Sequence, residues 1–414
     1  MIDFEKHDWA RLARHFETPF YLYDMDQAVA HADRLRAALP GRVDLLYAAK
    51  ANPNPRVLAE LADHVWGLDI SSGGEVELAA RVGYPLSRMS FAGPGKTDAE
   101  LRRSIEGGIH VLSVESVSEL RRAARIAEQS GARASIALRV NPLATAKAFA
   151  MRMGGLPSQF GVPEEEAEAV LGEALSYASL DVLGIHIFSG TQCLDVSAIA
   201  DNARQTLGIA RRLAAAHDRT FSLVNLGGGF GIPYFAGHEA MDVDALARAV
   251  GAAIEEFVAA EPRFRDTRFV IELGRYLIGM FGMYVARVID VKQNRGKRFV
   301  ILDGGMNHVF PATGNFGQLV KKNYPVRNLS RLDDPQTVAQ EIVGPLCTPM
   351  DSLARDLQLP AAEPGDLIGF LNCGAYSFSA SPLLFLGHHT PLELVHRRGG
   401  VEVARHRHAA GEFA

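Results

Sequence analysis

The feature that most constrains the fold of this chain is a regular alternation of short apolar runs with longer amphipathic stretches. Eight strand-like runs lie between residues 45 and 273: LLYAA, VWGLDI, MSFAG, HVLSV, SIALRV, VLGIHI, SLVNL and FVIEL. The stretches between them, such as NPRVLAELADH, have the periodicity of helices. Alternating strands and helices predict a mostly parallel sheet, and eight such units predict an α/β fold of the (β/α)₈ TIM-barrel type.

The pattern changes after residue 282, where a second, β-rich domain is expected. The segment MYVARVIDVKQNRGKRFVILDGGMN reads as two strand-like runs joined by a polar turn, and GDLIGFLNCGAY and LELVHRRGGVEVARH are also strand-like. The early segment PFYLYD precedes the first barrel helix and is expected to pair with that later sheet. The predicted division is a barrel over residues 25–280 and a split β-rich domain over residues 1–24 plus 281–414.

Composition and charge argue against several classes of protein. The 43 Lys and Arg against 48 Asp and Glu give a net charge of -5, and no long basic run is present, which disfavours nucleic acid as a partner. The longest uncharged apolar stretch, from Tyr276 to Ala286, is about half the length of a membrane span. The N-terminus carries mixed charge where a secretory signal would be basic and then apolar. We therefore expect a cytoplasmic protein without a membrane segment.

Two polar features follow the predicted barrel strands. Lys50 ends the first run; a lone lysine there is most often a surface side chain, but in a pocket of low dielectric it loses its proton and reacts with an aldehyde. The glycine run at residues 227–229 follows the seventh strand, where TIM barrels commonly bind phosphate through loop amides. Such a run also makes a sharp turn, and at this strand position we favour phosphate binding.

Glu272 and Arg275 follow the last barrel run in the segment IELGRY. Glu272 and Arg275 either form a structural ion pair, or Glu272 faces the pyridine nitrogen of a cofactor. In the second case the carboxylate makes the cofactor ring an effective electron sink. A lysine, a phosphate loop and a ring carboxylate together indicate pyridoxal 5'-phosphate as the cofactor.

Eight motifs then make a family resemblance specific: YAAKANPNP, LDISSGGEVELA, LRVNP, GIHIFSGTQ, NLGGGFG, IELGRY, VGPLCTPMD and NCGAYSFSASP. In this order they resemble the fold-type III pyridoxal-phosphate decarboxylases, the diaminopimelate and ornithine decarboxylase family. The resemblance covers about residues 18–394. It implies an alanine-racemase-like barrel with a split β-domain, amino-acid decarboxylase activity, and a homodimer whose active sites are shared between subunits.

The resemblance also implies roles for single residues. Lys50 resembles the Schiff-base lysine, Glu272 the carboxylate on the pyridine nitrogen, His186 the imidazole stacked on the cofactor ring, and Cys347 the proton donor lent across the dimer. An isolated histidine is more often a satisfied core residue, and a free cysteine is usually a small buried apolar residue. The cofactor-binding set that the family implies is Lys50, Asp69, Arg139, His186, Ser189, Gly227, Gly228, Gly229, Glu272, Gly274, Arg275 and Tyr376.

The motifs leave one phosphate contact undecided and give no role to two of the cysteines. Because HIFSGTQ is one residue longer than the family's usual HIGSQ, either Ser189 or Thr191 would contact the phosphate. Cys193 and Cys373 match no functional motif and are interpreted as structural; the three cysteines are too scattered for a disulfide framework or a closed zinc site.

The residue after Cys347 departs from the family pattern. Decarboxylases of basic amino acids place an acidic residue there to hold the distal ammonium of the substrate, whereas this chain has Thr348. A buried cation without a carboxylate partner is costly, which disfavours lysine, ornithine or diaminopimelate as the substrate. Thr348 and Asp351 are the predicted substrate contacts. The motif CTPxD together with SPxxFLxH resembles a specialised branch that acts on modified or carrier-tethered amino acids, such as a glutamyl thioester on an acyl carrier protein.

Three alternative functions are considered. The first is diaminopimelate decarboxylase proper, in lysine biosynthesis; the second is a pyridoxal-phosphate racemase; the third is a non-catalytic homologue that binds the cofactor. Racemases of this type generally set an arginine against the pyridine nitrogen, whereas Glu272 favours decarboxylation. The presence of Lys50, Glu272 and Cys347 argues against a non-catalytic protein.

No metal site is predicted from the sequence. His388 and His389 either line the entry for a long substrate or are solvated loop residues. Their spacing gives no paired ligands.

Overall fold

The computed structural model describes residues 2–145, 147–316 and 321–413. The described residues form twenty strands, in chain order β1 (Phe20–Asp24), β2 (Val43–Ala48), β3 (Gly67–Ile70), β4 (Met89–Phe91), β5 (Val111–Val114), β6 (Ala134–Asn141), β7 (Met151–Arg152), β8 (Val162–Pro163), β9 (Leu180–His186), β10 (Gly190–Thr191), β11 (Leu223–Gly228), β12 (Arg268–Leu273), β13 (Gly282–Asn294), β14 (Lys297–Leu302), β15 (Val326–Asn328), β16 (Val338–Val343), β17 (Ser352–Leu359), β18 (Leu367–Phe370), β19 (Leu392–Arg397) and β20 (Gly400–Arg405). The α-helices are α1 (Trp9–His15), α2 (Met25–Ala38), α3 (Pro55–Leu61), α4 (Gly73–Arg81), α5 (Asp98–Glu106), α6 (Val117–Ser130), α7 (Ala167–Ser176), α8 (Val196–Ala216), α9 (Val243–Ala260) and α10 (Arg275–Ile278).

Eight of these strands close into a parallel barrel, as the alternation of apolar and amphipathic segments predicted. The order around the barrel is β2, β3, β4, β5, β6, β9, β11 and β12, all in parallel pairs. Strand β12 closes the barrel on β2, with Phe269 opposite Val43 and Leu273 opposite Tyr47. The predicted fold class, a (β/α)₈ barrel with a β-rich second part, is therefore confirmed.

Local sequence signals set the limits of the barrel helices. Thr97 and Glu100 form a reciprocal capping box at the start of α5, which satisfies two backbone donors at the helix N-terminus. Ser116 caps α6, and Gly131 ends it in the left-handed conformation that glycine adopts readily. Because each helix ends in a short loop, every strand returns to the barrel in the same direction. The carboxyl ends of the eight strands therefore meet at one rim.

The β-rich part is built around β1. This strand runs antiparallel to β13, with Phe20 opposite Val285, and parallel to β19, with Phe20 opposite Leu392. The pairing expected for the PFYLYD segment is confirmed. The sheet order is β17-β16-β14-β13-β1-β19-β20, with β18 paired to β13 and β15. Leu22 and Met283 belong to a buried apolar cluster that also includes Trp9 of α1.

The chain divides into two compact units. The barrel unit comprises His31–Ile232 and Glu239–Tyr276, and the β unit comprises Met1–Ala30, Pro233–His238 and Leu277–Ala414. The sequence boundaries did not anticipate that residues 233–238 belong to the β unit. Within that unit the Tyr234 ring lies 5.1 Å from the Tyr324 ring, and the Asn372 amide donates to the Pro233 carbonyl at 2.9 Å.

In the part of the chain that the structure describes, no helix combines the length and the apolar character that a membrane crossing requires.

Candidate active site

Lys50 and Asp69 form an ion pair at the rim of the barrel unit. Lys50 lies in a single helical turn directly after β2, and Asp69 lies on the neighbouring strand β3, opposite Ala48. The Lys50 Nζ donates to Asp69 Oδ2 at 2.9 Å; the lysine side chain is 41% exposed and the aspartate 1%. Burial, and then the charge of Glu272, raise the pKa of Asp69 to about 6. The carboxylate thus holds an accessible amine at the barrel mouth.

Glu272 is a buried carboxylate on β12 that stays ionised at neutral pH. The Asn225 amide of β11 donates to its Oε1 at 2.5 Å, and the Nε2 atom of His186 lies 3.4 Å from its Oε2. Burial opposes ionisation of Glu272, but His186, Lys50 and the Asn225 hydrogen bond outweigh it and lower its pKa to about 2. A permanent negative charge therefore faces the same rim as the Lys50 amine.

His186, at the end of β9, is held in orientation through one ring nitrogen. Its Nδ1 forms a 2.9 Å hydrogen bond with the Ser113 hydroxyl of β5. The Lys96 ammonium in turn donates to the Ser113 carbonyl at 2.8 Å and to Glu119 at 2.6 Å. The His186 Nε2 is buried and has no hydrogen-bond partner among the described residues. This nitrogen faces the Glu272 carboxylate at 3.4 Å, so the imidazole is positioned between Ser113 on one side and Glu272 on the other.

Arg139 lies on β6 opposite His186 and is paired with Glu115. Its Nη1 donates to Glu115 Oε1 at 2.7 Å, and its guanidinium lies 5.0 Å from the centre of the Phe160 ring. Glu115 also accepts from the backbone amides of Gly93 and Gly161. This network fixes the arginine against the strand that carries His186.

The glycines at residues 227–229 are required by the backbone around them. Gly227 and Gly229 have φ values of 68° and 82°. A Cβ atom on Gly229 would overlap the Gly190 carbonyl oxygen, and one on Gly228 would overlap the Glu272 carbonyl oxygen. The sharp-turn explanation of this run therefore holds whether or not the loop binds phosphate.

Ser189 provides independent support for an anion site at the same place. Its hydroxyl is buried and has no hydrogen-bond partner among the described residues, while Thr191 on β10 is only partly buried. A buried hydroxyl without a partner costs free energy unless a ligand satisfies it. Of the two candidates for the phosphate contact, this geometry favours Ser189.

The strand end that carries Glu272 packs on the turn that carries Lys50. A Cβ atom on Gly274 would lie 2.7 Å from the Ala51 Cβ, so the close approach requires glycine. Arg275 begins the short helix α10 immediately afterwards. The Glu272 carboxylate and the Lys50 amine are therefore positioned by two segments that pack directly against each other.

The predicted site residues of the β unit lie on two loops. Cys347 is exposed, whereas Cys193 and Cys373 are buried, so the alternative of a small buried cysteine does not fit Cys347. The buried Asp351 carboxylate accepts from the backbone amides of Met306 at 2.6 Å and Leu346 at 2.8 Å and so folds the loop around Cys347. Tyr376, on the second loop, has a φ of 60°.

A cavity of about 660 Å³ adjoins the Cys347 loop within the β unit. Leu346 and Thr348 line it from the loop. Its basic lining residues are Lys292, Lys297 and Arg355. Its two carboxylates are already engaged: Glu341 accepts from Lys297 at 2.5 Å, and Asp351 accepts from the backbone. The cavity is thus large enough for an extended ligand and offers no free carboxylate among the described residues.

Three residues of the site were not predicted from the sequence: Ser113, Glu115 and Asn225. Each is a polar residue in or directly after an apolar run, in HVLSVE or SLVNL. A polar side chain inside a strand that is buried on both faces needs a partner, and this was the signal available.

The barrel-unit groups complement pyridoxal phosphate one by one. The Lys50 amine suits the aldehyde, and the ionised Glu272 carboxylate suits the ring nitrogen. The His186 imidazole suits the ring, and the buried Ser189 hydroxyl beside the glycine turn suits the phosphate. Fold and site together define a pyridoxal-phosphate enzyme with an alanine-racemase-like barrel.

The family follows from comparison with known proteins. Residues 25–279 match the family described as pyridoxal-dependent decarboxylase, pyridoxal binding domain, and the chain belongs to this family. It is a decarboxylase that depends on pyridoxal phosphate.

Its relatives act on different amino-acid substrates. The chain is 37% identical to L-glutamyl-[BtrI acyl-carrier protein] decarboxylase of Niallia circulans, over 97% of this chain and 94% of the relative. It is 30% identical to 2-[(L-alanin-3-ylcarbamoyl)methyl]-2-hydroxybutanedioate decarboxylase of Staphylococcus aureus, over 90% and 92% of the two chains. The crystal structure of diaminopimelate decarboxylase from Helicobacter pylori complexed with L-lysine matches with a TM-score of 0.87 and 30% identity, over 98% of each chain.

Proposed function

We propose that this enzyme decarboxylates an amino-acid conjugate whose distal end carries no charge, with a glutamyl group tethered to a carrier protein as the representative substrate. The observation that carries the proposal is the Cys347 loop, where Thr348 stands beside the cysteine and both carboxylates of the adjoining cavity are engaged. A distal ammonium would find no free carboxylate among these lining residues. The 37% identity to a decarboxylase named for a carrier-tethered glutamyl group supports the same substrate class.

In this proposal the barrel residues bind and orient the cofactor. Lys50 is the Schiff-base lysine, and Asp69 holds its amine in place through the 2.9 Å contact. The His186 imidazole stacks on the cofactor ring, and Ser189, whose buried hydroxyl has no partner among the described residues, binds the phosphate with the turn at residues 227–229. Arg139, Gly274, Arg275 and Tyr376 complete the predicted cofactor contacts.

The reaction breaks the bond between the α-carbon and the carboxylate carbon of the substrate. Bound pyridoxal phosphate supplies the sink for the electron pair that remains when carbon dioxide leaves. Glu272, ionised because His186 and Asn225 stabilise its charge, holds a proton at the ring nitrogen. The thiol of Cys347 then delivers its proton to the α-carbon, forming the C–H bond, and the thiolate recovers a proton from water.

The proposal includes a homodimer in which Cys347 of one subunit serves the barrel of the other. Its support is the exposure of Cys347 together with exposed apolar side chains of the same β unit, Met350 and the run Leu384, Phe385 and Leu386. Exposed apolar groups of this kind mark interaction surfaces. The cytoplasmic location expected from the sequence stays a prediction.

The proposal is tested by offering the purified yellow protein a panel of substrates and measuring released carbon dioxide. The panel comprises a glutamyl thioester on a phosphopantetheine carrier, free glutamate, lysine and meso-diaminopimelate. We expect the tethered glutamyl group to turn over at least tenfold faster than meso-diaminopimelate. Turnover of meso-diaminopimelate at the higher rate would instead establish the diaminopimelate decarboxylase alternative, which the likeness to the Helicobacter enzyme makes the second candidate.

A matched pair of variants tests the role of Thr348. Thr348→Glu supplies the missing carboxylate and is expected to shift the ratio of kcat/KM towards diamino acids by about tenfold, since one compensated charge is worth roughly 1.4 kcal/mol or more. Thr348→Gln, similar in size but neutral, is the control and should leave the ratio unchanged. Equal effects of the two variants would contradict the charge argument. Interconversion of enantiomers without loss of carbon dioxide would point to the racemase alternative.

A further inference from the structure

Three potential metal ligands meet inside the β unit, away from every residue used above. His7 precedes α1, Asp24 ends β1 and His396 lies on β19. One ligand atom of each side chain lies within 4.8 Å of the ligand atoms of the other two. The Asp24 carboxylate approaches both imidazoles through different oxygens: Oδ2 lies 3.7 Å from His7 Nε2, and Oδ1 lies 3.5 Å from His396 Nδ1. The two imidazole rings also contact each other edge-on, with centroids 4.8 Å apart.

The imidazoles face this carboxylate with unsatisfied ring nitrogens. His7 Nε2 and His396 Nδ1 are both buried and have no hydrogen-bond partner among the described residues. The His7 side chain is only 4% exposed, so water does not satisfy it readily. Two buried ring nitrogens without hydrogen-bond partners beside one buried carboxylate are an arrangement that a cation would satisfy.

We propose that His7, Asp24 and His396 bind a divalent transition-metal ion, with Zn²⁺ as the expected occupant. Two imidazole nitrogens and one carboxylate oxygen are a ligand set that zinc accepts, with bonds of about 2.0–2.2 Å. In a tetrahedral site, such bonds set neighbouring ligand atoms roughly 3.4 Å apart. His7 Nε2 lies 3.7 Å from Oδ2 of Asp24 and His396 Nδ1 lies 3.5 Å from Oδ1, each within a few tenths of an ångström of that spacing. All three ligand atoms lie within 4.8 Å of one another, so a small contraction of the cluster would bring them around one ion.

The surrounding residues prepare the carboxylate and offer a fourth ligand. Gln27 donates to Asp24 through its backbone amide at 3.1 Å and through its side chain at 2.6 Å, which fixes the carboxylate. The Asp26 carboxylate lies 3.9 Å from His396 Nδ1 and is also bonded to Arg397 at 2.8 Å. Either Asp26 or a water molecule completes the coordination.

The site is structural, because it joins three segments that are distant in the chain. The N-terminal segment, the central strand β1 and the strand β19 would each contribute one ligand, so the ion would staple both ends of the chain to the middle of the sheet. A ligand that binds only the folded state raises its stability. Trp9 lies 5.2 Å from the His7 ring and reports on this packing.

The test measures zinc content and thermal stability of the holoenzyme. After dialysis against a weak chelator, the wild type should retain about one zinc per chain by elemental analysis. After its zinc has been removed with a strong chelator, added zinc should raise the melting temperature of the wild type by about 5 °C at roughly 100-fold above the dissociation constant. His7→Asn and His396→Asn should each lose the retained zinc and the shift while keeping their pyridoxal phosphate, which shows that they fold. His406→Asn, at an exposed histidine, is the matched control and should behave as the wild type.

A second measurement does not depend on the variants. Crystals of the holoenzyme soaked in zinc should show an anomalous-scattering peak among His7, Asp24 and His396. No peak there at saturating zinc, or retention of zinc by both variants, would overturn the proposal.

Discussion

Asp69 and Glu272 are two buried carboxylates of one site whose pKa values are driven in opposite directions. Burial and the neighbouring charge of Glu272 raise the pKa of Asp69 to about 6. Burial acts on Glu272 as well, but His186, Lys50 and the Asn225 amide outweigh it and lower its pKa to about 2. Two carboxylates whose environments separate their pKa values can take different roles. Glu272, which stays ionised, is suited to hold a proton on another group. Asp69, whose pKa is about 6, can change its own charge beside the Lys50 amine.

The raised pKa of Asp69 predicts a pH dependence of stability in the cofactor-free protein. In the folded state this carboxyl binds a proton up to about pH 6, whereas in the unfolded state it ionises near its ordinary pKa of 3.8. The folded state therefore binds more protons in this window, and the contribution of Asp69 to stability falls as the pH rises from about 4 to about 6. The melting temperature of the wild type minus that of Asp69→Asn should decrease across this range.

The control for that prediction is Asp201→Asn, at a side chain that is 70% exposed. Its difference from the wild type is measured at the same pH values and subtracted. A difference for Asp69→Asn that stays flat between pH 4 and pH 7, or that grows with pH, would be inconsistent with a raised pKa of Asp69.

Individual site residues could be predicted from the sequence where they lie at or near the end of an apolar run. Lys50 and Glu272 lie at or near the ends of apolar runs, and a barrel brings all such ends to one rim. Ser113, Glu115 and Asn225 were not predicted, because their roles depend on partners from other strands: His186, Arg139 and Glu272. Cross-strand pairing of this kind leaves no pattern in a single sequence.

At the scale of elements, the end of β11 packs closely against β12 at the point where β12 carries Glu272 of the candidate active site. Gly228 lies opposite Glu272 on β12, and a Cβ atom there would overlap the Glu272 carbonyl oxygen. Because this carbonyl belongs to the backbone of a central barrel strand, it cannot rotate away as a flexible side chain would. The two strands approach so closely only because residue 228 is glycine.

Gly228→Ala should therefore destabilise the protein by roughly 3 kcal/mol, the cost of overpacking a rigid interior, and should lower its cofactor content. The matched control is Gly208→Ala in the middle of α8, where a Cβ atom meets nothing within 4 Å. That change should stabilise the protein by about 1 kcal/mol, because alanine favours the helix. Chemical denaturation measures both, and equal stabilities of the two variants would argue against the close approach of β11 and β12.

The eight barrel strands were predictable because each is an apolar run bounded by polar or glycine residues. In the structure each strand begins or ends within a few residues of the predicted run. The assignment of residues 233–238 to the β unit was not predictable. The ring contacts of Tyr234 and Phe235 with Tyr324 join positions far apart in the sequence, and no local pattern indicates them.

At the scale of the whole molecule, the predicted catalytic residues are divided between two units. Lys50 and Glu272 belong to the barrel unit, whereas Cys347 and Thr348 belong to the β unit. The proposal assigns the cysteine to the barrel of a second subunit. In that arrangement neither subunit alone would hold a complete set of groups, and activity would require a dimer.

This division predicts complementation between inactive variants. Lys50→Ala and Cys347→Ala should each lose most activity as homodimers. After equal mixing and subunit exchange, about half the dimers would be hybrids with one intact site of two, so about a quarter of wild-type activity should return. Carbon dioxide release measures it, and the appearance of activity should follow the rate of subunit exchange. If the mixture stays inactive although mass analysis shows hybrids, each site takes its cysteine from its own chain.

The proposed metal site also belongs to this scale, and its position explains why no metal site was predicted from the sequence. His7, Asp24 and His396 have no ligand spacing in the sequence, since sheet topology alone brings them together. Motif searches detect ligands that are close in sequence, whereas this cluster depends on β1 pairing with β19.

Lys50 is proposed to hold the cofactor at the rim that also carries Glu272, and reduction of the yellow protein with borohydride tests this assignment. Reduction fixes the cofactor to the amine that binds it, and peptide mass analysis then identifies the modified residue. One pyridoxyl group per chain is expected on the peptide that contains Lys50, and no label is expected in Lys50→Ala. A label on the buried Lys96, or on any other lysine of the wild type, would contradict it.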